Sequence, residues 1–230
     1  LGLAPRVATL DGTCQNEVED CAVITTYEER LNRDLNWALD EGSMHFDETN
    51  AVHRALRRIT TRLMDLGIPH AVVGGMAMFF HGFRRFTEDV DILVTRAGLE
   101  EIHRRLEGLG YVPPFQGSKH LRDTELGVKI EFLVAGDYPG DGKPKPVAFP
   151  DPAQVAVELN GISCINLPTL IELKLSSGMT NPNRLKDISD VQELIRVLRP
   201  PRELTSQLNS FVRAKYEELW DGLHGVGGLE

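Results

Sequence analysis

The chain has 230 residues, with 25 Lys and Arg against 34 Asp and Glu and a formal net charge of −9. Hydrophobic (41%) and charged (26%) fractions of this size exclude wholesale disorder, and the length suits one generous domain or a domain with a small appendage. The acidic balance excludes a broad nucleic-acid coat, and the longest apolar-plus-glycine run, Ala71–Phe80, is about half of the ~20 residues that a membrane span needs.

The first ten residues hold one Arg and no long apolar core, so no signal peptide is expected. Cys14, Cys21 and Cys164 lack the spacing of a disulfide framework or a metal finger, which points to a reducing, cytoplasmic compartment and reads Cys14 and Cys21 as incidental thiols. Residues 1–45 form an N-terminal arm in which Glu28–Leu39 is a short amphipathic helix through Leu31, Leu35, Ala38 and Leu39. Asp47 is the expected N-cap of the next helix, whose apolar stripe is Val52, Ala55, Leu56, Ile59, Leu63 and Leu66 and whose end is Gly67. A short buried strand, Ala71–Val73, leads into Gly74-Gly75 and then into the helical apolar run Met76–Phe80.

Asp89–Val94 reads as a strand because Val90, Ile92 and Val94 alternate with Asp89, Asp91 and Leu93. Gly98–Leu109 is an amphipathic helix closed by Gly110, and a hairpin around Arg122–Gly127 feeds the strand Val128–Val134. The Pro- and Gly-rich stretch Gly136–Pro152 is an ordered loop or lid. Asn160-Gly161 between Val155–Leu159 and Ile162–Ile165 marks a hairpin. Pro168 opens a helix filled by Leu170, Ile171, Leu173 and Leu175, and two more helices cover Asn183–Leu198 and Arg202–Leu219. The reading is an α+β chain with a mixed sheet flanked by helices over residues 46–166 and a C-terminal helical region over 167–230.

The chemistry concentrates around residues 73–92. Positions i and i+2 of a strand share a face, so Asp89 and Asp91 present two carboxylates side by side. Such a pair repels itself unless a hard divalent cation, Mg²⁺ or Mn²⁺, removes the penalty. Gly74-Gly75, between a strand and a helix, leaves backbone N–H groups open to an anion, although a tight turn packed on the core has the same sequence. Arg85 adds a fixed cation suited to phosphate oxygens, or else a solvated loop charge. Glu131, mid-strand among apolar neighbours, wants water or a partner and supplies a third carboxylate if its strand lies beside Asp89 and Asp91. Arg54, Arg58 and Arg62 recur at helical spacing; the stripe suits nucleic acid but is more simply a solvated face.

Gly74-Gly75, Arg85, Asp89-Val90-Asp91 and the later strand acid Glu131 together resemble the nucleotidyltransferase superfamily that includes DNA polymerase β. The fuller pattern G-G-x-A-x-x-x-x-G-x-x-R-x-T-x-D-x-D is similar to its minimal bacterial members and to toxin nucleotidyltransferases of abortive-infection and toxin–antitoxin systems. Leu173-Lys174-Leu175 and Arg184-Leu185-Lys186-Asp187-Ile188-Ser189-Asp190 resemble the family's later lysine and its acidic helix. The resemblance spans residues 70–195. It implies the nucleotidyltransferase fold, with the glycine pair at a triphosphate, Asp89 and Asp91 on Mg²⁺ (or Mn²⁺), and Glu131 as a third acid that joins them or positions the incoming hydroxyl. Lys174, on an otherwise apolar helix, can extend its ammonium to a phosphate or snorkel at the helix edge. Asp187 can orient Lys174, or, like Asp190, is simply an acid favoured near the start of its helix. Glu131 stands where many members carry Asp, which leaves a single metal on Asp89 and Asp91 as an alternative. The implied reaction moves a nucleoside monophosphate from an NTP to a hydroxyl of a protein, a tRNA end or a small molecule such as an aminoglycoside. An antitoxin protein is the implied partner if the chain is a toxin. A catalytically silent nucleotide- or partner-binding module and a metal phosphohydrolase are the competing readings.

Overall fold

A computed structural model describes residues 25–225. Two helices, α1 (Tyr27–Arg33) and α2 (Leu35–Phe46), precede α3 (Ala51–Asp65), β1 (His70–Val72), α4 (Gly74–Phe80) and β2 (Asp89–Val94). Next come α5 (Arg96–Leu106), β3 (Tyr111–Val112), β4 (His120–Asp123) and β5 (Lys129–Val134). The short α6 (Pro152–Val155), β6 (Ala156–Leu159) and β7 (Ile162–Ile165) lead to the helices α7 (Leu167–Thr180), α8 (Leu185–Leu198) and α9 (Ser210–His224).

The seven strands form one mixed sheet in the order β3-β4-β5-β2-β1-β7-β6. β2 lies parallel to β5 and β1 parallel to β7, while the remaining neighbours run antiparallel. The alternation read in β2 divides its side chains between the two faces. Val90, Ile92 and Val94 join the cluster that holds Val52, Leu56, Ile59 and Leu63 of α3 and Ile102 of α5. Leu93, on the other face, joins the cluster that holds Leu170, Leu173, Val191, Leu194 and Val212 of α7, α8 and α9. Asp89 and Asp91 therefore project toward the C-terminal helices rather than toward α3. No described helix is long and apolar enough to cross a membrane.

Helix boundaries differ from the expectation at several places. α4 begins at Gly74 and not Met76, and α5 is Arg96–Leu106 and not Gly98–Leu109, because the Thr95 hydroxyl caps it by accepting from Gly98 N. Three more also have a local reason. The single helix expected over 28–39 breaks at Asp34, whose N–H closes α1 on the Arg30 carbonyl while its carboxylate accepts from Trp37 N in α2. α3 is capped by Asn50 and not Asp47, because Asn50 accepts from His53 N and the Glu41 carboxylate takes the N–H of Ala51; Asp47 ends α2 instead. The helix expected over 202–219 is a 3-10 turn, Arg202–Gln207, followed by extended Leu208 and then α9. Asn209 makes that break, since its side chain accepts from Phe211 N and its own N–H donates to Glu172 of α7. The two-residue β3 and the one-turn α6 are too short to leave a periodic pattern in the sequence. The hairpin at Asn160-Gly161 and the strand-free stretch from Gly136 to Pro150 match the expectation. Cys164 is buried and free; Cys14 and Cys21 lie outside the described residues.

Candidate active site

The parallel pairing of β2 and β5 sets Asp91 opposite Glu131 and Asp89 opposite Lys129, so all four side chains share one face. Thr87, just before the strand, donates its hydroxyl to Asp89 Oδ1 at 3.1 Å. On the other side of β2, Val73 N donates to the Asp91 carbonyl, and the chain then turns into α4 at Gly74, whose φ is +58°. A Cβ on Gly74 would stand 1.9 Å from Asp91 Oδ2, and one on Gly75 would stand 2.7 Å from Thr87 Oγ1. The glycine pair is thus required by its own neighbours: it leaves room for the Asp91 carboxylate and the Thr87 hydroxyl against the bare backbone.

Asp91 bears the cost of this crowding. Burial, then the nearby charges of Asp89 and Glu131, push its pKa from 3.8 up to about 7, against the partial relief of Lys174 and Lys129. Glu131 is treated differently. Lys129 Nζ stands 2.7 Å from its Oε2, and His120 Nε2 lies 3.6 Å from its Oε1. Burial pushes Glu131 up, but the Lys129 ammonium outweighs it and holds the carboxyl below its usual range.

The opposite wall comes from α7 and α8, at i,i+3 spacing on each helix. Lys174 Nζ contacts Asp187 Oδ1 at 3.0 Å and Asp190 Oδ2 at 2.7 Å. Ser177 Oγ donates to Asp187 Oδ2 at 2.7 Å, and Arg184 Nε reaches the same oxygen at 3.0 Å. Arg85 Nη2 donates to Asp190 Oδ2 at 3.1 Å, while its Nε is buried with no hydrogen-bond partner. Lys174, Asp187 and Asp190 are 8%, 7% and 5% exposed, burial that charges tolerate only when paired this fully. Burial raises Asp187, yet Lys174, Ser177 and Arg184 together hold it below the ordinary carboxylate range.

Between the walls lie two adjoining cavities, of about 140 and 220 Å³, that share Gly74, Asp89, Asp91, Lys174, Arg184 and Asp187. Glu131 lines the first; Gly75, Arg85 and Lys186 line the second. A third space of about 340 Å³ continues past Glu131 to Asp137, Tyr138 and Phe149. Pro139 and Gly140 of the 136–152 loop close the first cavity from above, held there by Asn181 Nδ2 on the Gly140 carbonyl. The structure therefore brings eight residues singled out from the sequence to one place: Gly74, Gly75, Arg85, Asp89, Asp91, Glu131, Lys174 and Asp187.

The carboxylate oxygens of Asp89 and Asp91 are of the hard donor type that a divalent cation such as Mg²⁺ takes, and burial together with Asp89 and Glu131 raises the pKa of Asp91. As the side chains stand, no three His, Cys, Asp or Glu among the described residues group as ligands of one ion, since Glu131 is turned to Lys129 and His120. Ser177, Arg184 and Asp190 belong to the wall although no role was assigned to them from sequence. Their i,i+3 spacing from Lys174 and Asp187 was the available signal, and the same-face rule applied to Glu131 also gives Lys129. The arginine stripe lies elsewhere: α3 packs on the opposite face of the sheet, and Arg58 is tied to Asp123 and Glu125.

No family model matches the sequence, and no curated protein does. Among solved structures, the solution structure of the antibiotic-resistance factor ANT(2″)-Ia is similar, at a TM-score of 0.49 and 16% identity, over 74% of this chain and 95% of that one. The crystal structure of ANT(2″)-Ia in complex with adenylyl-2″-tobramycin matches 72% of this chain and 96% of that chain at 0.48 and 14%. JHP933 from Helicobacter pylori matches 74% of this chain and 76% of its own at 0.41 and 16%. These likenesses are partial, and the chemistry rests on the chain's own residues.

Proposed function

We propose that the chain is a Mg²⁺-dependent nucleotidyltransferase that moves a nucleoside monophosphate from an NTP to an acceptor hydroxyl. One observation carries the reading: the carboxylate pair Asp89 and Asp91 faces, across a cavity, a wall whose four cations, Lys174, Arg184, Arg85 and Lys186, outnumber its two acids, Asp187 and Asp190. A cation on one side and a polyanion on the other is the ligand that satisfies both walls at once. The buried, unpartnered Nε of Arg85 supports a ligand acceptor at the second cavity.

Asp89 and Asp91 would hold the ion, Mg²⁺ or Mn²⁺, which supplies charge neutralisation at the reacting phosphoryl oxygens. The acceptor oxygen attacks the α-phosphorus in line, the bond to the bridging oxygen breaks, and pyrophosphate leaves toward the cationic wall. Glu131 would take the hydroxyl proton, as a carboxylate that Lys129 keeps ionised and, by the same ion pair, weakly basic. Catalysis then consists mainly of positioning and charge stabilisation. The space beyond Glu131 is where the acceptor enters, as a protein, a tRNA end or a small molecule.

The test is incubation with each α-labelled NTP and Mg²⁺, with RNA, protein and aminoglycoside acceptors in separate arms. Label transfer is expected to fall at least about a hundredfold in the Asp89→Ala plus Asp91→Ala variant. Transfer that survives the double substitution removes these acids from the mechanism. Nucleotide binding without transfer favours the silent module, and release of monophosphate without acceptor label favours a phosphohydrolase.

A further inference from the structure

The N-terminal helices reach the site through one imidazole. The segment between α4 and β2 has no regular structure, yet it carries Arg85 and Thr87. His45, fully buried at the end of α2, lies with Nε2 2.9 Å from the Arg85 carbonyl oxygen. Its protonation is dictated by its surroundings. The His53 backbone N–H can only donate, so the Asn50 atom that it meets at 3.0 Å is the oxygen. The Asn50 NH₂ group therefore faces His45 Nδ1, at 3.2 Å, and that nitrogen must accept. Nε2 is left with the proton, which is what a carbonyl acceptor on Arg85 requires. The two ends of the ring give the same tautomer independently.

Asn50 is fixed in turn. His53 Nδ1 also donates to its oxygen at 2.9 Å, and its amide nitrogen lies 3.5 Å from the Tyr27 hydroxyl, which donates to Glu41. The groups that face the His45–His53 pair are Glu41 from α2, Tyr27 from α1, Asn50 at the head of α3 and Arg85 from the segment, with Arg57 of α3 acting on His53. α4 presents the ring of Phe79 to both imidazoles. Burial lowers the pKa of His45 against the help of the Arg85 carbonyl and Asn50, and lowers His53 to about 4. A second proton on His45 would set an N–H against the NH₂ of Asn50, two donors face to face.

We infer that neutral His45 is a positioning residue for Arg85: it is the peg by which α2 and α3 hold the Arg85 segment at the polyanion end of the cavity, and acid strong enough to protonate it releases that end. The ligand part of this inference rests on the nucleotidyl-transfer reading; the peg itself does not. His45→Gln keeps an oxygen for Asn50 and an N–H for the Arg85 carbonyl without a titratable ring, whereas His45→Phe keeps neither.

The experiment is the backbone ¹⁵N order parameters of residues 84–88, measured by NMR in both variants and the parent at pH 7.5 and 4.5. Binding of inorganic tripolyphosphate with Mg²⁺ is measured alongside at pH 7.5. The parent is expected to be ordered there at pH 7.5, at about 0.85, and to fall below about 0.6 at pH 4.5, His45→Gln to stay ordered at both values, and His45→Phe to be mobile at both. Tripolyphosphate affinity is expected to stay within about threefold in His45→Gln and to fall about tenfold in His45→Phe. The peg is overturned if the parent stays ordered in acid, if His45→Gln loses order in acid as the parent does, or if His45→Phe keeps it. If the order parameters behave as expected and tripolyphosphate does not bind the parent, the nucleotide reading fails and the peg stands.

Discussion

Two walls face each other across the cavity and handle their charge in opposite ways. On the helical wall each buried carboxylate has a cation: Asp187 has Lys174 and Arg184, and Asp190 has Lys174 and Arg85. On the sheet wall Asp89 and Asp91 share little positive charge, and Asp91 is held far above an ordinary carboxyl pKa. The first arrangement leaves no buried charge unpaired, so that removing one member is costly. The second costs the free protein stability and is expected where a ligand is to supply what is missing.

The largest effect should come from breaking the compensated wall. Lys174→Met leaves two buried carboxylates short of a cation, a loss of about 3–5 kcal/mol by urea unfolding at pH 7.5. Asp89→Asn, on the sheet wall, is expected to cost nothing comparable. Equal losses would erase the distinction between the walls. Gly74→Ala is next, at about 2–4 kcal/mol, because the methyl group would collide with Asp91 Oδ2 and the backbone has a positive φ. Asp91→Ala in the same chain should return part of that loss, and a purely additive pair would show that the carboxylate is not what the methyl meets.

The smallest effect runs in the opposite direction. Between pH 3.8 and about 7 the folded chain holds a proton on Asp91 that the unfolded chain has released, so stability falls as pH rises through that window. Asp91→Asn removes that slope. It should be more stable than the parent at pH 8, on the order of 1–2 kcal/mol, with the gain fading toward pH 4. Millimolar Mg²⁺ should raise the parent's Tm at pH 8 and leave Asp89→Asn plus Asp91→Asn unmoved, since only the parent keeps the paired oxygens. A gain that is equal at pH 4 and pH 8 would show that Asp91 is not the strained group.

The sheet wall was legible because strand alternation is a local rule: Val90, Ile92 and Val94 announce the buried face and thereby place Asp89 and Asp91 on the other. The parallel register that brings Glu131 beside Asp91 is a tertiary fact, which the residues alone offered only as a condition on where its strand lies. The helix starts were harder. Asp47 and Asn50 are both good caps by type, and the choice was made by Glu41, ten residues before Ala51, which takes its N–H. The break before α9 depends in the same way on Glu172, 37 residues upstream of Asn209. Lys129 shares a face with Glu131 by the same alternation, but a lysine in a strand carries no sign in sequence of which carboxylate it will pair with. The role of residues 27–50 was invisible for a deeper reason: a histidine that pins a carbonyl forty residues away leaves no periodic trace.

Asp190 is a single carboxylate to which both Arg85, ahead of β2, and Lys174, in α7, are moored. A truncated chain ending near residue 166 would keep the acids and the glycine corner, yet lose the mooring and the whole facing half of the cleft. Such a piece would also bare the sheet face on which Ala71, Val73, Leu93 and Ile165 pack against α7, α8 and α9. The helices that complete the cleft are the ones that close half of the core, so loss of one is loss of the other.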